Sequence, residues 1–238
     1  MTQTTVPQQS NSGLNADGRR RLVQVLGIFA VYALCLFIPA GTLRWWNAWV
    51  FLGLGFIAFL TGGLYVIRKQ PAVVNERGRA SDKTKPFDKL FSRLSFPLGL
   101  GAFIVAGLDF RFGWSEVPLW LQIVGMIGLL PTLFMPYWVM LVNAYAATTV
   151  RVETERGQHV ISSGPYRYVR HPMYSVTILG CFFDPLAFGS WWMAVPTVLM
   201  AILFIWRTAN EDRTLQEELP GYVAFTHQTR YRLLPGIW

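Results

Sequence analysis

Uncharged runs alternate with charged connections along this chain, and that alternation predicts helices that cross a membrane. Leu22 to Pro39 carries no charge, close to the roughly 20 apolar residues a helix needs to span the hydrocarbon core. Arg19, Arg20 and Arg21 stand before it, preceded by Met1 to Gly18, a polar stretch rich in Gln, Ser, Asn and Thr. That stretch has neither the apolar region nor the cleavage site of a signal peptide, so residues 1–21 are expected to form a disordered, basic, cytoplasmic end. An interfacial turn with Trp45, Trp46 and Trp49 leads into a second run, Val50 to Ile67, which ends at Arg68 and Lys69. Leu94 to Leu108 is a shorter third run that needs extension or local thinning of the bilayer to cross. Val117 to Val142 is a long fourth run, expected to kink where Pro131 and Pro136 remove backbone donors.

The last apolar stretch, Met173 to Trp206, is broken by one charge, Asp184. Asp184-Pro185 and Gly189-Ser190 mark the turn of an antiparallel helical hairpin, whose first arm is short. The predicted fold is therefore all-α: a polytopic integral membrane protein of about six transmembrane helices. Four lie in residues 22–142 and are joined in part by a basic connection, 68–93. Residues 143–238 hold the membrane hairpin 173–206 and a polar tail.

Composition agrees with that pattern. Of 238 residues, 53% are hydrophobic and 14% charged, against about 25% charged in soluble domains. Cys35 and Cys181 both fall inside apolar runs, and no disulfide framework, zinc spacing or other metal motif is present. The formal charge of +8 could point to nucleic acid, but nineteen of the 21 Lys and Arg fall in the connections on one side of the predicted membrane, leaving Arg44 and Arg111 on the other. The positive-inside rule places that side, with both termini, in the cytoplasm, which makes the inner (plasma) membrane the expected location. Membrane topology accounts for the basic residues, so no nucleic-acid partner is expected.

Two polar segments flank the hairpin. Gly164-Pro165-Tyr166-Arg167-Tyr168-Val169-Arg170-His171-Pro172 leads into it, and proline favours the first helical position, where its missing N–H is not needed. His171 should therefore sit at a helix start, where free N–H groups and the helix dipole suit a carboxylate or phosphate. On the far side, the last helix should run past Trp206, with Arg207 and Glu211 on one face because they are four residues apart. A plain structural role is equally open to these residues in isolation: interfacial Tyr, snorkelling Arg and a solvated, salt-bridged helix end. What sets them apart is position. His171 enters the hairpin from which Glu211 emerges, so the two should be neighbours, and an anion-binding helix start beside a carboxylate suits a zwitterionic amino-acid group.

With GPYRYV before it, RHPMY from Arg170 to Tyr174, the acidic pair Glu211-Asp212 and the terminal RYRLLPGIW resemble the isoprenylcysteine carboxyl methyltransferase family of integral membrane enzymes, bacterial branch, over Thr149 to Trp238. The resemblance implies S-adenosylmethionine-dependent methyl transfer to a lipophilic or amphipathic acceptor (carboxylate, thiol or amine) at the cytoplasmic interface, with the lipid bilayer as partner. It implies a cofactor pocket of Gln158, Tyr166, His171, Pro172, Tyr174 and Glu211, with Arg170, His171 and Glu211 as the catalytic group. It also implies that Arg207, Tyr222 and Arg230 hold the tail over the cofactor or engage the acceptor.

Two positions depart from the pattern. Val176 stands where a small residue is expected and would narrow the approach to the cofactor; the second acid is Asp212 where a glutamate is common, so Glu211 alone is carried over. Two other readings compete: a membrane reductase of the sterol-reductase type using NADPH, and a non-enzymatic transporter or lipid-binding scaffold. The second is disfavoured by the near absence of charges inside the spans.

Overall fold

The computed structural model describes residues 13–79, 83–152, 154 and 157–238, so the first twelve residues of the expected disordered end, and Arg156 among the counted basic residues, lie outside the described residues. Every long element among the described residues is a helix. Helix α1, Ala16–Ala40, starts earlier than the uncharged run does: the Asn15 side chain accepts from the Gly18 N–H and caps it, so residues 16–21, read from sequence as disordered, are helical. At its other end Gly41 adopts φ 68°, the left-handed conformation that closes a helix without a Cβ penalty.

Helix α2, Trp46–Ala58, continues through a wide turn, Phe59–Gly63, into α3, Leu64–Lys69. The basic connection 68–93 is not an open loop. Pro71 starts a short helix α4, Pro71–Gly78, and Pro86 starts α5, Pro86–Phe112, each proline occupying the first turn, where its missing N–H costs nothing. Because α5 incorporates Lys89, Arg93 and Asp109 at its ends, the third span reaches 27 residues, and the thinning expected for a fifteen-residue run is not needed. Helix α6, Leu119–Val142, contains Pro131 and Pro136.

The hairpin consists of α7, Pro172–Phe188, and α8, Ala194–Glu218, followed by a short α9, Tyr222–Gln228. Asp184-Pro185, read as part of the turn, lies inside α7; the reversal falls at Gly189, at φ 69°, and Ser190. One missing donor at Pro185 does not break a helix packed along α6.

Four helical segments, 16–40, 46–69, 86–112 and 119–142, are long and apolar enough to cross a membrane, and α7 is a shorter apolar helix. Their outward faces are apolar. In the most apolar window of α1 only 11% of residues are buried, and Val23, Leu34, Ile38, Ile57, Phe96 and Ile127 are largely exposed. Water would not tolerate that much contiguous apolar surface; lipid does. The protein is an integral membrane protein.

Two contacts position the functional end. Leu36, Phe37, Ala48, Phe103, Phe188 and Met193 form a core that joins α1, α2, α5 and the turn of the hairpin. Helix α7 lies directly on α6, and the approach is set by glycine: a Cβ on Gly125 would sit 2.3 Å from the Ala187 backbone nitrogen, and one on Gly128 would sit 2.4 Å from the Phe183 ring. Gly125→Ala should therefore force α7 off α6 and lower the unfolding temperature of the detergent-purified protein, by about 1–3 kcal/mol of overpacking strain. Gly27→Ala, at a helical glycine with open space beside it, should be neutral or stabilising. Equal behaviour of the two variants in thermal unfolding would contradict this packing.

Candidate functional site

The start of α7, the second half of α8 and the C-terminal tail meet around Asp212, whose side chain is fully buried. Arg170 grips it with both ends of its fork: Nε donates to Oδ1 at 2.8 Å and Nη2 to Oδ2 at 3.0 Å. Arg232 Nε donates to Oδ2 at 2.8 Å, Gln216 Nε2 to Oδ2 at 2.9 Å and the Tyr222 hydroxyl to Oδ1 at 3.0 Å, while His171 Nε2 lies 3.2 Å from Oδ1. Burial alone would raise this carboxyl's pKa; hydrogen bonds from His171, Arg170 and Arg232 outweigh burial and hold it well below the usual carboxylate range.

The remaining donors of Arg170 reach the carbonyls of Thr229, at 2.9 Å, and Arg230, at 2.7 Å. The backbone N–H groups of Arg170 and His171 donate to the carbonyls of Tyr231 and Arg232, and the Ser175 hydroxyl donates to the Leu233 carbonyl at 2.6 Å. The tail is thus fastened along the start of α7.

Beside this joint is a cavity of about 320 Å³. Of the residues singled out from sequence, Gln158, Tyr166, Arg170, His171, Pro172, Tyr174, Arg207, Glu211 and Tyr222 all line it. His171 caps α7 and Pro172 takes its first position, as the pattern predicts. The His171 ring stacks on Tyr174, with centroids 5.7 Å apart and planes within 6°, and the Tyr174 hydroxyl donates to the half-buried Glu211. Arg207 and Glu211 do share a face, but Arg207 is already engaged. Its guanidinium lies over the rings of Phe91, at 4.5 Å, and Tyr174, at 5.0 Å, and Nη2 donates to the Thr148 carbonyl. Its Nε lies 2.8 Å from Asp88 Oδ1, but neither atom has an aligned hydrogen-bond partner, so this is an ion pair by proximity.

Two expectations are not met by the geometry. The Arg230 side chain is exposed and does not line the cavity; only its backbone carbonyl takes part, as an acceptor for Arg170. Val176 is buried in α7 and does not line the cavity either, so it does not narrow it.

Several cavity residues were not found by motif. Asn143 follows α6 and donates to the Tyr166 hydroxyl at 2.7 Å; burial pushes that phenol up to about 12, against the opposing Asn143 hydrogen bond. Tyr145 donates to the Gly157 carbonyl at 2.8 Å. Arg77, on α4, reaches the cavity from the segment read as an anchor. On helices α6, α7 and α8 the lining is mostly apolar, from Val139, Met173, Thr177 and Phe204; on the connection between α6 and α7 it is polar, from Tyr145, Gln158 and His159. Asp212, the acid that the resemblance does not carry over, is the most connected residue here. A helix that is uncharged from Ala194 to Trp206 and acidic beyond was the available signal.

Residues 123–217 match the model of the Isoprenylcysteine carboxyl methyltransferase (ICMT) family. The match runs from α6 through nearly all of α8, and so contains the whole hairpin and both of its flanking acids. The motifs carried the resemblance over 149–238; the family match starts earlier and stops before the tail. The chain is also similar to "Uncharacterized protein YpbQ" of Bacillus subtilis (strain 168), with 32% identity over 100 residues, 41% of this chain and 57% of that protein. The chain thus spans a little over half the length of that relative. Among the described residues, no group of three His, Cys, Asp or Glu could hold a metal ion, and Cys35 and Cys181 are unpaired.

The joint predicts its own failure. Asp212→Ala leaves Arg170 and Arg232 without their carboxylate and should cost about 3–5 kcal/mol, the usual loss when one partner of a buried pair is removed. A depressed carboxyl pKa means its stabilisation is present above the unfolded value of about 3.9 and lost as pH falls through the folded one. The wild-type unfolding temperature should therefore drop on acidification below about pH 4 more steeply than that of Asp212→Asn. Parallel curves for the two proteins would show that Asp212 is not the joint.

Proposed function

We propose that this cavity performs S-adenosylmethionine-dependent methyl transfer to a lipophilic or amphipathic acceptor. The observation that carries the reading is the convergence of His171, Tyr174 and Glu211 on one cavity inside the segment that matches the ICMT family. The family match favours a methyltransferase over the reductase and scaffold readings. The donor set fits the cofactor. Glu211 offers a carboxylate to a cationic sulfonium or ammonium, and Tyr145, Tyr166 and Tyr174 add aromatic walls that favour cations. Held beside Glu211 and the His171–Tyr174 wall, S-adenosylmethionine would supply an electrophilic methyl group to the acceptor's lone pair.

The protein's work is then positioning and exclusion of water. Tyr174 orients Glu211, and Asp212 orients the His171 ring through Nε2. Arg170 is a positioning residue here, since all its contacts fix Asp212 and the tail. Arg207, held over two rings, stiffens the wall between Tyr174 and α5. A carboxylate acceptor needs no base; for a thiol or amine, Glu211 or His171, both on the cavity wall, can accept a proton. The polar side admits the water-soluble cofactor, and the apolar side, between α6, α7 and α8, admits the acceptor from the bilayer. The basic connections on the cavity's side of the protein support, by the positive-inside rule, a cytoplasmic cavity at the inner (plasma) membrane.

In calorimetric titrations, His171→Ala and Glu211→Ala should each weaken S-adenosylmethionine binding about tenfold or more, the scale of one lost charge-assisted hydrogen bond. Arg230→Ala, with its side chain outside the cavity, should bind as wild type. Unchanged affinity in both cavity variants, with wild-type unfolding temperatures, would refute the assignment.

A further inference from the structure

Among the described residues, the arginines that line the cavity are Arg77, Arg151, Arg170 and Arg207. Three of them already face a buried carboxylate. Arg170 holds Asp212, Arg207 lies against Asp88 and Arg151 is paired with Glu76, and none of those acids lines the cavity itself. Arg77 differs. Its Nη1 donates to the Ala146 carbonyl at 3.0 Å and lies 3.9 Å from Met173 Sδ. Among the described residues it meets no carboxylate, and its Nε and Nη2 make no hydrogen bond. Those two nitrogens form one edge of the guanidinium fork, an edge that can take both oxygens of a carboxylate.

The acid on the cavity wall is similarly free. Among the described lining residues Glu211 is the one carboxylate, and the hydroxyl of Tyr174 donates to it. Arg77 touches the first turn of α7 at Met173, and Glu211 is tied to the same turn through Tyr174. A cation and an anion, neither paired with an opposite charge, thus flank one turn of helix in a cavity of about 320 Å³. Helix α4 gives Arg77 a fixed base: Val73 and Val74 are buried, and neighbouring Glu76 is held by Arg151 and Arg79. A charge that the fold keeps at a cavity wall without a counter-charge is unfavourable until a ligand supplies one.

We propose that Arg77 is the receptor for the carboxylate of S-adenosylmethionine's amino-acid end. Glu211 is then the partner available to the ammonium on the same carbon. An α-amino acid carries one charge of each sign side by side, and the cavity offers one unpaired charge of each sign beside one helical turn. The planar fork of Arg77 also matches a planar carboxylate. The assignment rests on the methyl-transfer reading, but Arg77 stands on α4, ahead of the segment that matches the family.

The test is calorimetric titration of the full chain, in an uncharged detergent, with S-adenosylmethionine and with its decarboxylated form, which keeps the sulfonium and the ammonium. Wild type should bind the first about tenfold or more tightly than the second, the scale of one charge-assisted pair. Arg77→Gln should weaken S-adenosylmethionine binding by that factor, leave the decarboxylated form unchanged, and so erase the preference. Arg77→Lys should keep part of the preference. Glu211→Ala should weaken both ligands and keep the preference, because both carry the ammonium.

A wild type that binds the two ligands equally overturns the role of Arg77 and leaves the methyl-transfer reading standing. A wild type that binds neither removes that reading and the assignment with it. The assignment is also overturned if Arg77→Gln keeps the full preference, or if it loses affinity for both ligands alike, as a merely structural role would give. Should Arg77→Gln fail to fold, Arg77→Lys decides, and an undiminished preference in that variant counts against the proposal.

Discussion

One buried carboxylate holds the functional end of this protein together. Asp212 is the common acceptor for a side chain preceding α7, the cap of α7, a residue one turn along α8, one on α9 and one in the tail. A carboxylate has about four lone-pair sites, and all are used in a place without water. That is why the cost of burying the charge is repaid, and why the arrangement has one geometry: each donor is useful only if the others are in place. Everything on the cavity wall from Arg170 to Tyr174 inherits its position from this joint. The tail inherits its own through Arg170's bonds to the Thr229 and Arg230 carbonyls.

The membrane part supplies rigidity without a hydrophobic driving force between helices, because lipid is as apolar as their side chains. Close backbone approach replaces it. Gly125 and Gly128 let α7 settle on α6, and Gly107 lets α5 settle on α1, where a Cβ would meet the Leu36 carbonyl at 2.6 Å. The two ends of the bundle are held differently. At the end away from the cavity, the Asn47 amide donates to Gln122 and the Ala187 carbonyl, and the Ser115 and Ser190 hydroxyls donate to Asp109. These networks tie α2, α5, α6 and the end of α7 to one another. At the cavity end the networks leave a space between the elements they join.

How much of this could be read in advance depends on the range of the interaction. The spans were legible because lipid demands uncharged runs, and His171-Pro172 was legible as a helix start because proline has one favoured place in a helix. Helix ends were not. The chain continues helically through Arg19, Arg20 and Arg21 in α1 and through Lys89 and Arg93 in α5, since long basic side chains can reach the interface while their backbone stays in the helix. Helix α4 hid inside a run of charges, and Asp184-Pro185 resembled a turn but is carried by packing on α6. In the site, Glu211 was found by its spacing from Arg207, yet Arg207's partner proved to be Asp88, on a helix for which no pattern connects the two. Asp212 and Arg77 were missed for the same reason: their roles are defined by residues far away in sequence.

The central claim is that the cavity fastened by Asp212 moves a methyl group to something held in the bilayer. Membranes containing the overproduced protein, incubated with S-adenosylmethionine labelled in its methyl group and then extracted with organic solvent, test it most directly. The account predicts label in the organic phase that depends on the wild-type protein and is lost in Glu211→Ala. Label absent from the organic phase, or present equally with Glu211→Ala, would contradict it.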